Sequence, residues 1–282
     1  MLSLIICSRT SKISEYLEKN IAETIGSEYE LVVIDNSKNK YSIFSAYNEG
    51  VRRAQGNNLC FMHDDILYKT VDWGMKVEKM LEDESLGIVG VIGSYVMTKD
   101  YGYWDMMTPY VTGYMICVSK LGVQGNSNCN KYYDQTCSNE IVAADGFWLC
   151  ARKDLFKKIS FDEDTYTGYH FYDMDICMQA IMAGYKNMVV RNVLIQHNAS
   201  PQYVDQFFYN MKKFHDKWRN NLPIYRGVLK NLDASNERLL RESVYNKMLC
   251  KHYQYSYYSV LESKAFKLGN IILKPVRLLK KR

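Results

Sequence analysis

The sequence predicts an α/β fold in which a mostly parallel sheet is flanked by helices and followed by a helical C-terminal extension. In the first ninety residues, short runs rich in Val, Ile and Leu alternate with longer amphipathic segments, which is typical of strands joined by helices. The runs are continuously apolar, as expected for strands covered on both faces. Beyond residue 200 the sequence is helical in pattern and increasingly basic. We therefore predict one domain over residues 1–200 and an extension over residues 201–282.

The elements of the first part alternate strictly. Gly26 and Gly56 follow the first two predicted helices, and glycine often ends a helix. The connections are expected to be right-handed crossovers between parallel strands. The predicted strands are LSLIIC, YELVVID, NLCFM and GIVGVIG, and the predicted helices are ISEYLEKNIAETIG, SIFSAYNEGVRRAQG and VDWGMKVEKMLEDE.

The second part of the domain is less regular. Residues 94–139 are rich in Tyr, Gly, Asn and Cys and are predicted to form loops with a hairpin that take part in substrate recognition. EIVAADGFWLCARKDLF then predicts a strand entering a short helix, and FDEDTYTGYHFYDMDICMQAIMAGYK a loop entering a helix that Gly184 ends. NMVVRNVLIQ predicts a last strand that delivers His197, and VDQFFYNMKKFHDKWRNNL one further helix.

Composition favours a cytoplasmic protein, at most peripheral on the inner face of a membrane. The hydrophobic fraction of 47% is ample for a packed core. The eight cysteines form no CxxC pair, which favours small buried side chains in a reducing compartment. The first residues read as a strand rather than a signal peptide, and no apolar run approaches the roughly 20 residues that span a bilayer.

The net charge of +5 belongs to the C-terminus. Residues 264–282 carry seven Lys or Arg and no acid, and the rest of the chain has 29 basic against 31 acidic residues. This balance argues against a nucleic-acid-binding face. The pattern of the tail instead favours binding to an anionic membrane surface. The alternatives are a solvated tail and a contact between subunits of an oligomer. Pro275 would bend or break a helix in the tail. On a helical wheel the apolar side is Leu268, Ile272, Val276 and Leu279, and the basic side is Lys267, Lys274, Arg277 and Lys281.

Polar clusters follow three of the predicted strands. Because the carboxyl ends of parallel strands share one edge of a sheet, these clusters are expected to lie together. The third, in FMHDDI, combines imidazole and carboxylate, which suits Mn, Mg or Zn; a polar turn is the alternative. The clusters are Ser8-Arg9-Thr10, Asp35-Asn36-Ser37 and His63-Asp64-Asp65.

Five stretches in order resemble those of GT-A-fold glycosyltransferases of the large family-2 type, closest to bacterial members that build surface polysaccharides. The resemblance covers about residues 2–200 and implies a Rossmann-like domain. It also implies transfer of a sugar, with inversion, from a nucleotide-diphospho-sugar donor to a saccharide or lipid-linked acceptor. The stretches are VVIDNS, AYNEGVRRAQGNNLCFMHDDI, AADGFWLCARKDLF, FDEDTYTGYHFYDMDICMQAIMAGYK and VLIQH.

The resemblance implies a divalent metal, Mn or Mg, with three protein ligands. These would be His63, Asp65 and His197, while Asp64 would point to the ribose or to a coordinated water. The chain departs from the family pattern because His63 replaces the first acid of the D-x-D motif. A neutral imidazole there favours Mn over Mg, but it leaves open a metal-free site in which His63 donates to phosphate, or a His63 that merely caps a carbonyl.

Donor-binding candidates lie at the first two strand ends and in the second helix. Asp35 would accept from the base or the ribose, or would form an Asx-turn with Ser37. Ser8 and Arg9 would hold the base or the diphosphate, although an Arg there could equally face solvent. Asn48 is a poor choice inside a helix, so a buried contact to the nucleotide or to a neighbouring loop would explain it.

Acceptor candidates lie in AADGFWLCA. Gly146 in an apolar strand predicts close approach by a backbone or a ligand. Asp145 would accept from a sugar hydroxyl, or would cap the strand. Phe147 and Trp148 fall on opposite faces, so at most one lines the site; Trp148 is the candidate.

The resemblance places the catalytic base in HFYDMDICMQ, where Tyr172 replaces the family's Glu. Asp173 is the first candidate; it begins a helix, whose N-terminus would keep it ionised, and it could also be an N-cap. Asp175 is expected to cap or pair. His170 is the second candidate base because its ordinary pKa is near 6.5.

The sequence also bears on two other functions. A nucleotidyltransferase should have a Gly-rich loop after the first strand, and CSRTSKIS has no Gly. A non-catalytic nucleotide-sugar-binding or scaffolding subunit of a polysaccharide assembly complex stays open because the D-x-D motif is altered.

Overall fold

The computed structural model describes residues 1–118, 124–128, 139–198 and 204–268. The fold is α/β, as the sequence predicts. Its strands are β1 Leu2–Ser8, β2 Tyr29–Asp35, β3 Asn58–Met62, β4 Ile66–Tyr68, β5 Leu86–Gly90, β6 Ile92–Ser94, β7 Val96–Met97, β8 Val111–Val118, β9 Gln124–Asn128, β10 Glu140–Ile141, β11 Ala143–Ala144, β12 Trp148–Arg152, β13 Lys186–Val189, β14 Ile195–His197 and β15 Ile224–Tyr225. Its α-helices are α1 Glu15–Thr24, α2 Ile43–Arg53, α3 Trp73–Leu81, α4 Tyr172–Met182, α5 Asp205–Trp218 and α6 Ala234–Glu262.

The main sheet is mostly parallel, which confirms the predicted architecture. Its order is β10-β13-β5-β12-β3-β1-β2. β1 is parallel to both β2 and β3, β13 is parallel to β5, and β12 and β10 run antiparallel to their neighbours. The carboxyl ends of β1, β2 and β3 therefore meet at one edge, as expected for the three polar clusters.

The first two helices form where their caps and apolar faces predict. Ser14 and Ser42 accept hydrogen bonds of 3.2 Å from the third residue beyond each cap, and the apolar residues of each helix face the core. Gly26, with φ of +68°, follows α1 as expected. The prediction for Gly56 is wrong, because α2 ends at Arg53. The Gly56 N–H instead bonds Ser3 Oγ at 2.8 Å, tying this loop to β1.

A second sheet lies beside the first, and it explains three wrong predictions. Its order is β11-β6-β8-β14-β4, with β9 paired to β8. GIVGVIG was expected to form one strand but divides into β5 and β6, which belong to different sheets. NMVVRNVLIQ divides in the same way into β13 and β14, and EIVAADGFWLCAR contains β10, β11 and β12. In each case the chain crosses from one sheet to the other.

The irregular segment contains the predicted hairpin, since β8 and β9 pair antiparallel. It also contains a 3-10 helix, Trp104–Met107. The helices α5 and α6 follow the domain, and β15 pairs with β7 of the irregular segment. Among the described residues no helix is long and apolar enough to cross a membrane. Most of the amphipathic tail, residues 269–282, lies outside the described residues.

Candidate functional site

Three side chains converge where the two sheets meet. His63 follows β3, His197 ends β14, and Asp65 precedes β4, which pairs antiparallel with β14. His197 Nε2 lies 3.3 Å and His63 Nδ1 lies 3.8 Å from Asp65 Oδ1. One potential ligand atom from each residue lies within 4.8 Å of the others. The sequence therefore predicted this convergence correctly.

The residues fit a divalent cation. Asp65 Oδ1 and His197 Nε2 are buried without a hydrogen-bond partner, which is costly unless a ligand completes them. Burial, followed by the neighbouring His197, lowers the pKa of His63 to about 4. His63 is thus held as neutral imidazole, the form that binds metals. Its Nε2 shares a hydrogen bond of 2.8 Å with the Tyr172 hydroxyl, which orients the ring so that Nδ1 faces Asp65.

The first strand end is joined to this centre through Asp64. The buried Ser8 donates from Oγ to Asp64 Oδ2 at 2.7 Å, and Arg9 is exposed beside it. Asp35 accepts a hydrogen bond of 2.9 Å from the Ser37 N–H, and this bond holds the pKa of Asp35 below its ordinary value. The Asx-turn left open by the sequence is therefore present, and the Asp35 carboxylate is exposed at the rim.

Asn48 binds a neighbouring loop, which is one of the two explanations the sequence allowed. Its Nδ2 donates to Phe161 O at 2.8 Å, and its Oδ1 accepts from Phe161 N at 3.1 Å. A further bond of 3.0 Å joins Nδ2 to Glu163. These contacts satisfy the amide on α2 and fix the loop that leads to α4, whereas a contact of Asn48 with the nucleotide stays a prediction.

The stretch before β12 places Gly146 against Tyr172. A Cβ on Gly146 would lie 2.4 Å from the Tyr172 hydroxyl, so the close approach predicted there involves a side chain. Phe147 stacks on His197, with ring centres 4.5 Å apart. Trp148 is fully buried and donates from Nε1 to the Tyr68 hydroxyl at 3.0 Å. The assignment of Trp148 to the acceptor side is corrected, because its indole packs in the core against Trp73. Phe147 is equally buried, but it is the one of the two that contacts a site residue, His197.

Asp173 and Asp145 form a pair of acids with raised pKa values. Burial, and then the charge of Asp145, raises the pKa of Asp173 to about 7. Burial raises the pKa of Asp145 to about 6. Asp173 is only 1% exposed, and its Oδ2 accepts from the Tyr103 hydroxyl and from the Gly146 N–H at 3.1 Å. Displaced pKa values of this kind are typical of proton-transfer sites.

Two details of the α4 prediction change. The N-cap of α4 is Phe171, in the left-handed region with φ of +72°, so Asp173 is the second helical residue and not the cap. We expected the helix N-terminus to keep Asp173 ionised. Burial and the charge of Asp145 outweigh that effect and raise the pKa of Asp173 instead. His170, the second candidate, is partly buried against Phe207 at 5.4 Å, and burial lowers its pKa to about 4.

Asp175 pairs, as the sequence predicts. It is 1% exposed. Its donors are the Tyr166 hydroxyl at 3.0 Å, Gln179 Nε2 at 2.6 Å, Trp218 Nε1 at 2.8 Å and Lys217 Nζ at 2.9 Å. With four donors on its carboxylate, Asp175 joins α4 to α5.

Two contacts of the site are not indicated by the sequence: the hydrogen bond from the Tyr103 hydroxyl to Asp173 and the hydrogen bond between Tyr172 and His63. Tyr103 comes from the irregular segment, where no periodicity ranks one of its tyrosines above another. In the sequence, Tyr172 is marked only by its position, where the family pattern has a Glu. Its direct contact with a metal-ligand candidate is visible only in three dimensions.

Comparison with known proteins gives a family match over most of the chain. Residues 3–221 match the model of a family described as "Glycosyltransferase like family". No curated protein sequence matches the chain.

Distant structural likenesses accompany this match. A mannosyltransferase from Pyrobaculum calidifontis, solved with GDP-Man and Mn2+, is 12% identical with a TM-score of 0.49, covering 99% of this chain and 83% of that one. S. aureus TarS, residues 1–349 with UDP, is 13% identical with a TM-score of 0.49, covering 93% and 75%. GalNAc-T7, solved with UDP, GalNAc and Mn2+, is 9% identical with a TM-score of 0.47; the match covers 73% of this chain and 45% of that one.

Proposed function

Because the chain belongs to the glycosyltransferase-like family and has the GT-A architecture predicted from its sequence, we propose that it transfers a sugar from a nucleotide-diphospho-sugar to an acceptor hydroxyl, with inversion. The observation that carries this proposal is the arrangement of His63, Asp65 and His197 at the sheet edge next to a buried carboxylate with a raised pKa, Asp173. A metal-dependent inverting transfer needs both a cation site and a base.

The donor would bind along the edge formed by β1, β2 and β3. Asp35 is placed to accept from the base or the ribose, and Arg9 to contact the diphosphate. Asp64, oriented by Ser8, would accept from the ribose or from a coordinated water. When bound to His63, Asp65 and His197, a divalent ion would neutralise the charge of the departing diphosphate.

Asp173 is the proposed base. In an inverting transfer the acceptor oxygen attacks the anomeric carbon directly, and its proton must pass to a group within hydrogen-bond reach. A carboxylate whose pKa is about 7 is matched to this task near neutral pH, because it is basic enough to take the proton while about half of it is ionised. Asp145, partly exposed beside it, would bind an acceptor or donor hydroxyl. The proton therefore leaves the acceptor oxygen and ends on Asp173.

Calorimetry with UDP, GDP and dTDP, with and without Mn2+, tests the donor site. We expect one nucleotide to bind in a metal-dependent way and Asp65→Ala to abolish that dependence. Equal affinities after chelation would contradict the metal site and favour direct donation by His63. Metal-dependent binding with neither transfer nor donor hydrolysis would favour the non-catalytic, scaffolding subunit.

For the acceptor we propose a lipid-linked saccharide at an anionic membrane on the cytoplasmic side, in surface polysaccharide synthesis. α6 exposes Tyr253 and Tyr257, one turn apart and 67% and 61% exposed, and Leu268 beyond it is 58% exposed. Tyrosine is favoured at membrane interfaces, and the seven basic residues of the tail follow directly. Flotation with anionic vesicles tests this. Recovery of the full chain but not of a protein ending at residue 262 supports it, and equal recovery contradicts it.

A further inference from the structure

Tyr103 covers the carboxylate that the proposed reaction needs. We propose that Tyr103 is a gate: its hydroxyl occupies, on Asp173, the place that the acceptor hydroxyl takes during transfer, and it leaves when the acceptor enters. This inference rests on the proposed function and adds a residue outside the motifs shared with the family. Its consequence is that Asp173 cannot activate water while the acceptor is absent.

Among the described residues, Tyr103 is the one side chain that donates a hydrogen bond to Asp173. Oδ1 accepts from the Met174 N–H at 2.8 Å, and Oδ2 accepts from the Gly146 N–H at 3.1 Å and from the Tyr103 hydroxyl. The two amides belong to the backbone and are fixed. With the residue 1% exposed, a substrate hydroxyl reaches Oδ2 only by replacing the one donor that belongs to a movable side chain.

The Tyr103 hydroxyl can also stand in chemically for the acceptor hydroxyl. It donates to the carboxylate as an acceptor sugar hydroxyl would before transfer. Burial raises the pKa of Tyr103 well above its ordinary value, and the charges of Asp173 and Asp145 act in the same direction. The phenol therefore stays protonated and does not itself serve as a base. It blocks Asp173 without competing for the proton.

The ring of Tyr103 is held by aromatic contacts that a rotation of its side chain can break. It lies edge-on against Phe171 at 5.2 Å and Phe207 at 5.4 Å. Tyr103 is partly exposed, whereas Trp104 next to it is 6% exposed. The side chain thus has a solvent-facing edge into which it can move while its neighbour anchors the segment.

The backbone of the segment is held in place by the two C-terminal helices. Nε2 of His215, on α5, accepts a hydrogen bond of 2.9 Å from the Gly102 N–H. Lys247 of α6 donates to Met106 O at 3.0 Å. Two ion pairs of α6 complete the clamp: Arg241 with Asp100, and Lys251 with Asp105. The moving part is therefore the Tyr103 side chain rather than the whole segment.

Donor hydrolysis without acceptor tests the gate. UDP-GlcNAc and GDP-Man, each with Mn2+, are incubated with the wild type, Tyr103→Phe and Tyr101→Phe. Phenylalanine keeps the contacts with Phe171 and Phe207 but frees Oδ2. We expect Tyr103→Phe to hydrolyse the bound donor about tenfold faster than the wild type, because water then reaches an activating carboxylate. Tyr101→Phe removes a hydroxyl from the same segment, whose ring contacts His215 and not Asp173, and should match the wild type.

The outcomes are separable. Calorimetry with UDP, GDP and dTDP, each with Mn2+, tests the proposed function; a protein that binds none of the three contradicts that function, and the gate falls with it. With binding intact, equal hydrolysis by the wild type and Tyr103→Phe, including none by either, overturns the gate alone. A loss of hydrolysis in Tyr103→Phe also overturns it and identifies Tyr103 as a proton carrier. Carboxyl NMR of Asp173 gives a check without turnover: its pKa should rise in Tyr103→Phe, because the Tyr103 hydrogen bond lowers it.

Discussion

Replacing Asp173 by asparagine should abolish transfer and stabilise the protein. The carboxyl is 1% exposed, and burial together with Asp145 raises its pKa to about 7 from 3.8. The folded state therefore binds a proton more tightly than the unfolded chain, and stability is lost as pH rises from the unfolded pKa to the folded one. An amide of the same shape carries no charge and avoids this loss.

The size of the effect follows from the shift. At 1.36 kcal/mol per pKa unit, a rise from 3.8 to about 7 amounts to about 4 kcal/mol at alkaline pH. Both carboxylate oxygens accept from backbone N–H groups, of Met174 and Gly146, so the asparagine NH2 must face one of these donors. We expect this contact to cost about 2 kcal/mol, which leaves about 2 kcal/mol of stabilisation at about pH 8. Below the unfolded pKa both side chains are neutral and only that cost remains, so Asp173→Asn should be about 2 kcal/mol less stable than the wild type there.

The matched control is Asp175→Asn, two residues away and equally buried. Asp175 is satisfied by four donors, including Lys217. Removing its charge should destabilise the protein by about 2 kcal/mol, less than for a fully buried pair because Lys217 is 26% exposed and keeps Asp162. Transfer should fall much less than in Asp173→Asn.

Denaturant unfolding of the three proteins across about pH 5 to about pH 9, together with donor binding and transfer, makes the measurement. The expected pattern at about pH 8 is opposite signs of stability change for the two variants, with donor binding intact in both. The reasoning is refuted if Asp173→Asn is less stable than the wild type at about pH 8, or if its advantage does not grow with pH. Transfer within about tenfold of the wild type, with His170→Ala inactive, would move the base to His170.

Three further predictions concern the same region. Asp65→Ala should lose Mn2+ binding in calorimetry whereas Asp64→Ala, whose side chain is held by Ser8, should retain it; loss in both would mean that the motif acts only as a whole. The kcat/KM for transfer should rise with pH through an apparent pKa of about 7, because Asp173 must be ionised, and a profile flat across that range would contradict its role. In His170→Gln, stability should fall less steeply on acidification from about pH 6.5 to about pH 4, because the unfolded wild type gains a proton there that the folded state, with a pKa of about 4, does not; equal slopes would contradict this.

The first three strands of the main sheet could be predicted from the sequence because each of their apolar runs belongs to one sheet only. LSLIIC, YELVVID and NLCFM each belong to one sheet from end to end. GIVGVIG and NMVVRNVLIQ look the same in composition, yet each supplies two sheets. Both halves of these runs are largely buried, so hydrophobic patterning has no feature that marks the crossing.

The site residues that lie at or next to the ends of strands could be predicted from the sequence. His63, Asp65 and His197 could be found because each lies at or next to the end of an apolar run, and these ends meet where the two sheets adjoin. Trp148 was misplaced because strand alternation tells which faces differ, but not which face is the core. Tyr103 was out of reach: its partner Asp173 lies 70 residues away, in a different element, and the chain has 24 tyrosines to choose from.

The clamp on the Tyr103 segment has a consequence for biosynthesis. Asp100 and Asp105 pair with residues that lie 141 and 146 positions later in the chain. Since domains form progressively as the polypeptide leaves the ribosome, the nascent protein holds β1 to β14 and Asp173 before α6 exists to clamp the segment. A helix translated after the site residues is thus the one that secures the cover of the carboxylate. Premature termination after α5 would leave a chain that retains the cation ligands but lacks that restraint.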